Sequence, residues 1–379
     1  MNTPRITTSP TGGLRELARS LQAEGRDIVN LTAGELATPT PPHIVEAAVK
    51  AAHDPARHGY GSAAGDPECR DAVAGWAGRS LGIEVDRSHV AVTNGAKQAL
   101  HNALRSLVGH GDEVIVPAPY WVTFPEAVRL AGAVAVPAHP RSGGGLPDVA
   151  DLDAVCSAVT RAVIICSPHN PTGLVHDESQ LEEIAQWAAE HGIWIVSDDT
   201  YRDLSFVQAR STPEIARNAG CEVVSLGSTS KSHAMTGWRT GWLIAPAEVV
   251  ATATAIQSHT SSNVCRVSQA AALAALTGPD VAAQTRRQLK ELRDELLGVF
   301  EDAHIPVQTP QGAFYLFPAV PSNDRDDVGL VVRLLEDAGV AVVPGSAFGV
   351  AGHVRVSYAG AREAVVDGVR RLTTALRAS

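Results

Sequence analysis

Lys231, Asp198 and Asn170 each stand just past a short apolar run, and each carries a side chain able to do chemistry. Lys231 follows the run 223–226, sits among Ser228, Thr229 and Ser230, and is followed eight positions later by Arg239. A lysine held at such a place can be desolvated, lose its proton readily and form a Schiff base with a carbonyl. Arg239 keeps its charge and suits a bidentate grip on phosphate. Gly95-Ala96-Lys97 lies between an apolar run at 90–93 and a helical pattern. Small residues at such a turn let a phosphate reach backbone N–H groups at the positive end of a helix. Arg355 alternates with valines, which puts its guanidinium on the face opposite the apolar one. Taken singly, each residue also has an ordinary reading: a solvated loop lysine, an aspartate (198 or 199) capping a turn, a common βα turn, an exposed strand arginine.

The elements needed to position these residues are legible as alternation. Short buried runs at 90–93, 113–116, 133–137, 162–166, 193–196, 223–226 and 241–245 are separated by helical patterns such as Leu181, Ile184, Ala185 and Ala188. That order predicts an α/β fold with a largely parallel sheet. Asn170, Asp198 and Lys231 then all fall beyond the carboxyl ends of strands, where open α/β sheets bind ligands. A long helix over 280–303 connects to a smaller C-terminal part with strands at 312–316 and 353–358, and residues 1–13 read as an extended arm. The expected division is 1–40 for the arm and part of a small domain, 41–276 for the large domain, and 277–379 for the small one. Asn170-Pro171 is a candidate cis bond, and 141–147 (RSGGGLP) a surface loop.

The length of 379 residues suits two domains, and the composition, 45% hydrophobic and 19% charged, is that of a soluble globular chain. Neither a membrane-length apolar run nor a signal peptide at Met1 is evident, so the cytoplasm is the expected compartment. Five cysteines without C-x-x-C spacing suggest no disulfide framework and no metal site. A net charge of −10 argues against nucleic acid as a partner, and no membrane partner is expected.

The run Ser228-x-Ser230-Lys231-x-x-x-Met235-Thr236-Gly237-Trp238-Arg239-x-Gly241 resembles the cofactor-lysine segment of the class I/II aminotransferases, fold-type I enzymes that use pyridoxal 5'-phosphate. Ser167-Pro168-His169-Asn170-Pro171-Thr172-Gly173 resembles the family's S-P-x-N-P-T-G. The resemblance runs from Thr32 to the C-terminus with the motifs in order, and Gly95-Ala96-Lys97-Gln98 is similar to an aspartate aminotransferase-like branch. It implies a fold-type I transferase: a large domain with a mostly parallel seven-stranded sheet, a smaller α/β C-terminal domain, and a homodimer with shared active sites.

For the cofactor it implies Lys231 as the Schiff-base lysine and Asp198 beside the ring nitrogen, keeping that nitrogen protonated. It also implies Tyr201 and Asn170 at the ring oxygen and Trp121 stacked on the ring. Gly95, Ala96, Lys97, Ser228, Ser230 and Arg239 would lie around the phosphate, with Tyr60 reaching it from the other subunit. Catalytic roles fall to Lys231, Asp198 and Tyr201. Substrate contacts fall to Gly34, Lys97, Asn170, Arg355 and Phe314, with Arg355 clamping the α-carboxylate and Lys97 holding a distal one. Without the resemblance, Tyr60 would be a half-buried turn ring, Trp121 a packed one, and Lys97 a solvated charge. His169 reads as a supporting or surface residue.

Two departures stand out: Leu36-Ala37-Thr38 after Gly34-Glu35, and Val264-Cys265-Arg266 after Ser262-Asn263. Both segments lie near the substrate mouth in the family. The function expected is transfer of an amino group between a small, acidic L-amino acid and a 2-oxo acid. Two alternatives stay open: elimination, substitution or bond-forming chemistry with the same cofactor, and a catalytically silent ligand-binding relative.

Overall fold

The computed structural model describes residues 10–141, 145–320 and 326–378. Its strands in chain order are β1 (Val29–Asn30), β2 (Val90–Thr93), β3 (Glu113–Pro117), β4 (Val134–Ala138), β5 (Thr160–Cys166), β6 (Trp194–Asp198), β7 (Val223–Ser228), β8 (Gly241–Ile244), β9 (Tyr315–Leu316), β10 (Val340–Ala341), β11 (Val343–Pro344) and β12 (Val354–Ser357). Seven of them form one sheet in the order β2-β8-β7-β6-β5-β3-β4, and β8 runs antiparallel to both its neighbours. The remaining pairs are parallel. The inner strands β7 and β8 are buried along their whole length and β6 along all but Trp194, as a sheet covered on both faces requires.

Helices supply the two covers. Ala96–Leu107 turns Ala99, Leu100, Ala103 and Leu104 onto one face of the sheet, where they meet Val114, Val196 and Val224. Glu178–His191 turns Leu181, Ile184, Ala185 and Ala188 onto the other, against Val163 and Ile195. A separate core holds the C-terminal layer. There Leu289, Leu292, Leu296 and Phe300 of the helix Val281–Asp302 meet β9, β12 and the helix Arg362–Ala378. The N-terminal strand β1 pairs in parallel with β10, so the start of the chain belongs with this layer. We propose the division into two domains on this split of sheets and cores.

The helix Pro10–Ala23 begins inside the stretch expected as an extended arm, at the first described residue. Among the described residues the cis bonds are Ala118–Pro119 and Ser167–Pro168, so the expectation for Asn170–Pro171 is corrected: the cis bond lies three residues earlier. Part of the expected loop at 141–147 lies outside the described residues.

Asp199 ties β6 to β7. Its carboxylate accepts hydrogen bonds from Ser197 Oγ at 2.9 Å and Ser225 Oγ at 2.6 Å, two residues paired across the strands. Burial pushes this carboxyl up to about 7, against the two hydroxyls and Arg202, which favour its charged form. An acid whose folded pKa lies above its unfolded value binds more protons when folded, so its contribution to stability falls as pH rises from about 4 to about 7. Asp199→Asn removes that titration. Urea midpoints should show wild type losing ground to Asp199→Asn across this window, by at most about 4 kcal/mol. A difference that does not change with pH would remove Asp199 as the buried acid.

Candidate active site

The carboxyl ends of β5, β6 and β7 lie side by side, since Cys166 pairs with Asp198 and Asp198 with Leu226. Their continuations meet in a cleft of about 460 Å³ that also receives the turn after β2, the loop after β3, the segment 32–35 and residues of the C-terminal layer. Of the residues singled out from sequence, Gly34, Ala96, Lys97, Trp121, Asn170, Asp198, Tyr201, Ser228, Ser230, Lys231, Arg239 and Arg355 line it together.

One end of the cleft is a cradle for an anion. Gly95 precedes the helix Ala96–Leu107 with φ +79, and a Cβ there would lie 2.5 Å from Arg239 Nη2. A side chain at that position would therefore push the guanidinium away, and its backbone conformation suits glycine. Arg239 itself holds a left-handed φ of 58, an uncommon state for a residue with a Cβ, with Nη1 donating to Thr236 O at 2.7 Å. Ser228 and Ser230 border the same space. Lys97 lies with Nζ 5.2 Å above the Trp121 ring, and burial and the Arg239 charge lower its pKa.

At the centre, Lys231 Nζ donates to Gly34 O. Burial and the Arg355 guanidinium pull its ammonium down to about 8, with Arg239 adding to this and Glu35 and Asp198 opposing. An amine in that range is neutral in a useful fraction near physiological pH. Asp198 accepts the Thr200 N–H at 3.1 Å, and burial pushes its carboxyl upward. Tyr201 and Tyr315 share a 2.7 Å hydroxyl contact.

At the other end Arg355 is 3% exposed, with its guanidinium 4.6 Å from the Tyr315 ring and 5.0 Å from the Phe348 ring. It donates to Asn170 Oδ1 at 3.1 Å and Thr32 O at 2.9 Å, while Nε has no partner. Far from being an exposed strand residue, it is a buried cation facing the cleft.

One expectation is corrected here. Phe314 does not line the cleft: it is fully buried in the C-terminal core, and its neighbour Tyr315 takes the cleft position, since adjacent residues of an extended segment face opposite ways. The two sequence departures do not line it either. Leu36 packs against the C-terminal core, and Arg266 pairs with Asp66 at 3.1 Å. Tyr60 is 91% exposed and stands outside the cleft of its own chain. Gly95 acts from behind the cradle. His169 is buried, with Nδ1 2.8 Å from Thr172 Oγ1.

Thr32, Ala33, Glu35, Thr200, Thr236 and Tyr315 line the cleft and were not singled out as site residues. Thr200 had a signal, its place between Asp198 and Tyr201. Glu35, which accepts from Thr236 Oγ1 at 3.1 Å, had its adjacency to Gly34.

The residues present fit a phosphate-bearing pyridoxal group. The glycine-formed cradle suits the phosphate, Asp198 offers a buried carboxylate, and the buried Thr200 Oγ1 has no partner of its own. Among the described residues, no helix is long and apolar enough to cross a membrane.

Comparison with known proteins agrees with this geometry. Residues 26–372 match the family model for aminotransferase class I and II. An aspartate aminotransferase of Streptomyces avermitilis is 40% identical, over 97% of this chain and 93% of its own length. A probable aspartate/prephenate aminotransferase of Aquifex aeolicus is 37% identical over 98% of this chain and 96% of its own. The structure of a Thermus thermophilus aspartate aminotransferase with maleate superposes with a TM-score of 0.92 at 35% identity, covering 99% of this chain and all of the other. With lysine, aspartate and two arginines converging in one cleft of a fold-type I scaffold, the chain belongs to the class I and II aminotransferases.

Proposed function

We propose that this aminotransferase uses pyridoxal phosphate on Lys231 to exchange amino groups between dicarboxylic L-amino acids and 2-oxo acids. The observation that carries it is the buried Arg355, which has no ion pair among the described residues and faces the same cleft as Lys231. A desolvated guanidinium without a carboxylate is costly unless a ligand supplies the anion. The substrate α-carboxylate is that anion, held in the fork that Asn170 and Thr32 orient.

Bound here, pyridoxal phosphate supplies an aldehyde that condenses with the substrate amine and a ring that takes up the electron pair left at Cα. The protein's own groups do the rest. Arg239, Ser228, Ser230 and the Ala96 N–H at the helix start would hold the phosphate. The Asp198 carboxylate would keep a proton on the ring nitrogen. Asn170 and Tyr201 would bond the ring oxygen, and Trp121 would cover the ring face. Lys231 Nζ would be the base at the substrate Cα, taking its proton and holding it for return.

A second carboxylate on the substrate would meet Lys97. This ammonium has no ion pair among the described residues and stands near Arg239, so a dianionic substrate relieves like-charge repulsion. Hydroxyls of the N-terminal arm, Ser9 and Thr11, would help, though Ser9 and the Thr11 side chain lie outside the described residues. The curated relatives' names, aspartate and aspartate/prephenate aminotransferase, support amino-group transfer over elimination chemistry or a silent ligand sensor. The homodimer is part of the same proposal: Tyr60, exposed beyond its own cleft, would complete that of a second copy.

Lys231→Ala should bind no cofactor covalently, lose the visible absorbance and stop turnover, whereas full activity in that variant would end the proposal. Asp198→Asn should keep the cofactor but lose rate by roughly a hundred- to a thousandfold. Mixed with aspartate or glutamate alone, the enzyme should release one 2-oxo acid per site without ammonia; ammonia release would favour elimination. Lys97→Ala should cost roughly ten- to a hundredfold in kcat/KM with these substrates and little with alanine. An equal loss for all would withdraw the acidic substrate. Sedimentation velocity should show a dimer, and a fully active monomer would remove the role of Tyr60.

A further inference from the structure

We infer that a second cavity, separate from the catalytic cleft, is a binding site for a phosphate dianion or the phosphate group of a monoester. It encloses about 460 Å³ and is lined by Arg79, Ser80, Arg202, Asp203, Phe206 and Arg286, among others. None of these lines the catalytic cleft.

The three guanidiniums are positioned by neutral carbonyls. Arg202 donates from Nε to Ser80 O at 2.8 Å and from Nη2 to Ala209 O at 2.6 Å. Arg286 Nη1 donates to Asp203 O at 3.0 Å, and Arg79 Nη2 to Leu276 O at 2.9 Å. Each keeps further N–H donors beyond those bonds, and among the described residues none of the three has an ion pair with a carboxylate. Arg210, close in sequence, is by contrast neutralised by Glu178 and Glu182. The one carboxylate of the cavity, Asp203, is taken by Trp76 Nε1 at 3.0 Å and Ser80 Oγ at 2.9 Å.

Three guanidiniums against one carboxylate leave two positive charges, which matches a dianion better than a single carboxylate. The planar guanidinium fork suits phosphate oxygens, and side chains already pinned lose little freedom when a ligand arrives. Phe206 and Val207 give the cavity an apolar side for the organic part of an ester. The site also touches the chemistry through the chain. Arg202 directly follows Tyr201, whose hydroxyl meets Tyr315 in the cleft, and Arg286 belongs to the long helix Val281–Asp302. A dianion held between them would tie the Tyr201 segment to that helix.

The test uses the protein saturated with pyridoxal phosphate, so that the catalytic phosphate cradle is filled, and inorganic phosphate as the probe against chloride at equal ionic strength. Phosphate should raise the Tm of wild type saturably. Arg286→Gln and, separately, Arg79→Gln should weaken the half-saturating concentration by roughly tenfold or more. Their Tm in chloride alone reports folding, and their aminotransferase rate without phosphate should match wild type. No saturable rise in wild type overturns the inference, as does a rise that both variants keep.

Discussion

The site depends on an imbalance of charge. Four cations, Lys97, Lys231, Arg239 and Arg355, share one cleft with the carboxylates of Asp198 and Glu35. Such a cleft is electrostatically incomplete without anionic ligands, and its incompleteness is useful. The loss of water and the surrounding positive charge bring the Lys231 ammonium down to about 8. Asp198 and Glu35 act the other way and keep the depression moderate. The fold keeps these like charges in place by anchoring them to three segments, the helix Ala96–Leu107, the loop between β7 and β8, and β12, and by bonding the arginines to carbonyl or amide oxygens.

The large sheet was legible in the sequence because strands buried on both faces read as apolar runs. The runs at 193–196 and 223–226 mark β6 and β7, but both strands continue farther, to Asp198 and Ser228. There polar residues pair in the ladder at the carboxyl edge, where a hydrophobicity pattern cannot follow them. The cleft residues on these strand ends were legible for a different reason: a reactive side chain stands just past a core strand in three separate places.

The C-terminal layer was read less well. Its strands are two to four residues long, so alternation cannot develop, and β10 and β11 share the single apolar run 340–344. A shift of one residue decided between Phe314 and Tyr315 as the cleft residue. Arg355 could be placed on the face away from the valines, but not known to be buried there. That follows from the Tyr315 and Phe348 rings, which arrive from β9 and from the segment between β11 and β12. Arg266 illustrates the converse: a local departure from a motif is absorbed by a partner two hundred positions away, Asp66, and leaves the cleft lining untouched.

The pairing of Ser228 with Gly241 closes the segment between β7 and β8 into a loop that carries both Lys231 and Arg239. Lys231 and Arg239 are thus moored to one frame, while Arg355 rides on β12 in a different sheet. With the ligands of the proposed function, a hinge motion between the two sheets would loosen the grip on an amino acid without disturbing the grip on the cofactor. Such a division of moorings lets an enzyme exchange one small molecule thousands of times while retaining another, with no separate latch for either.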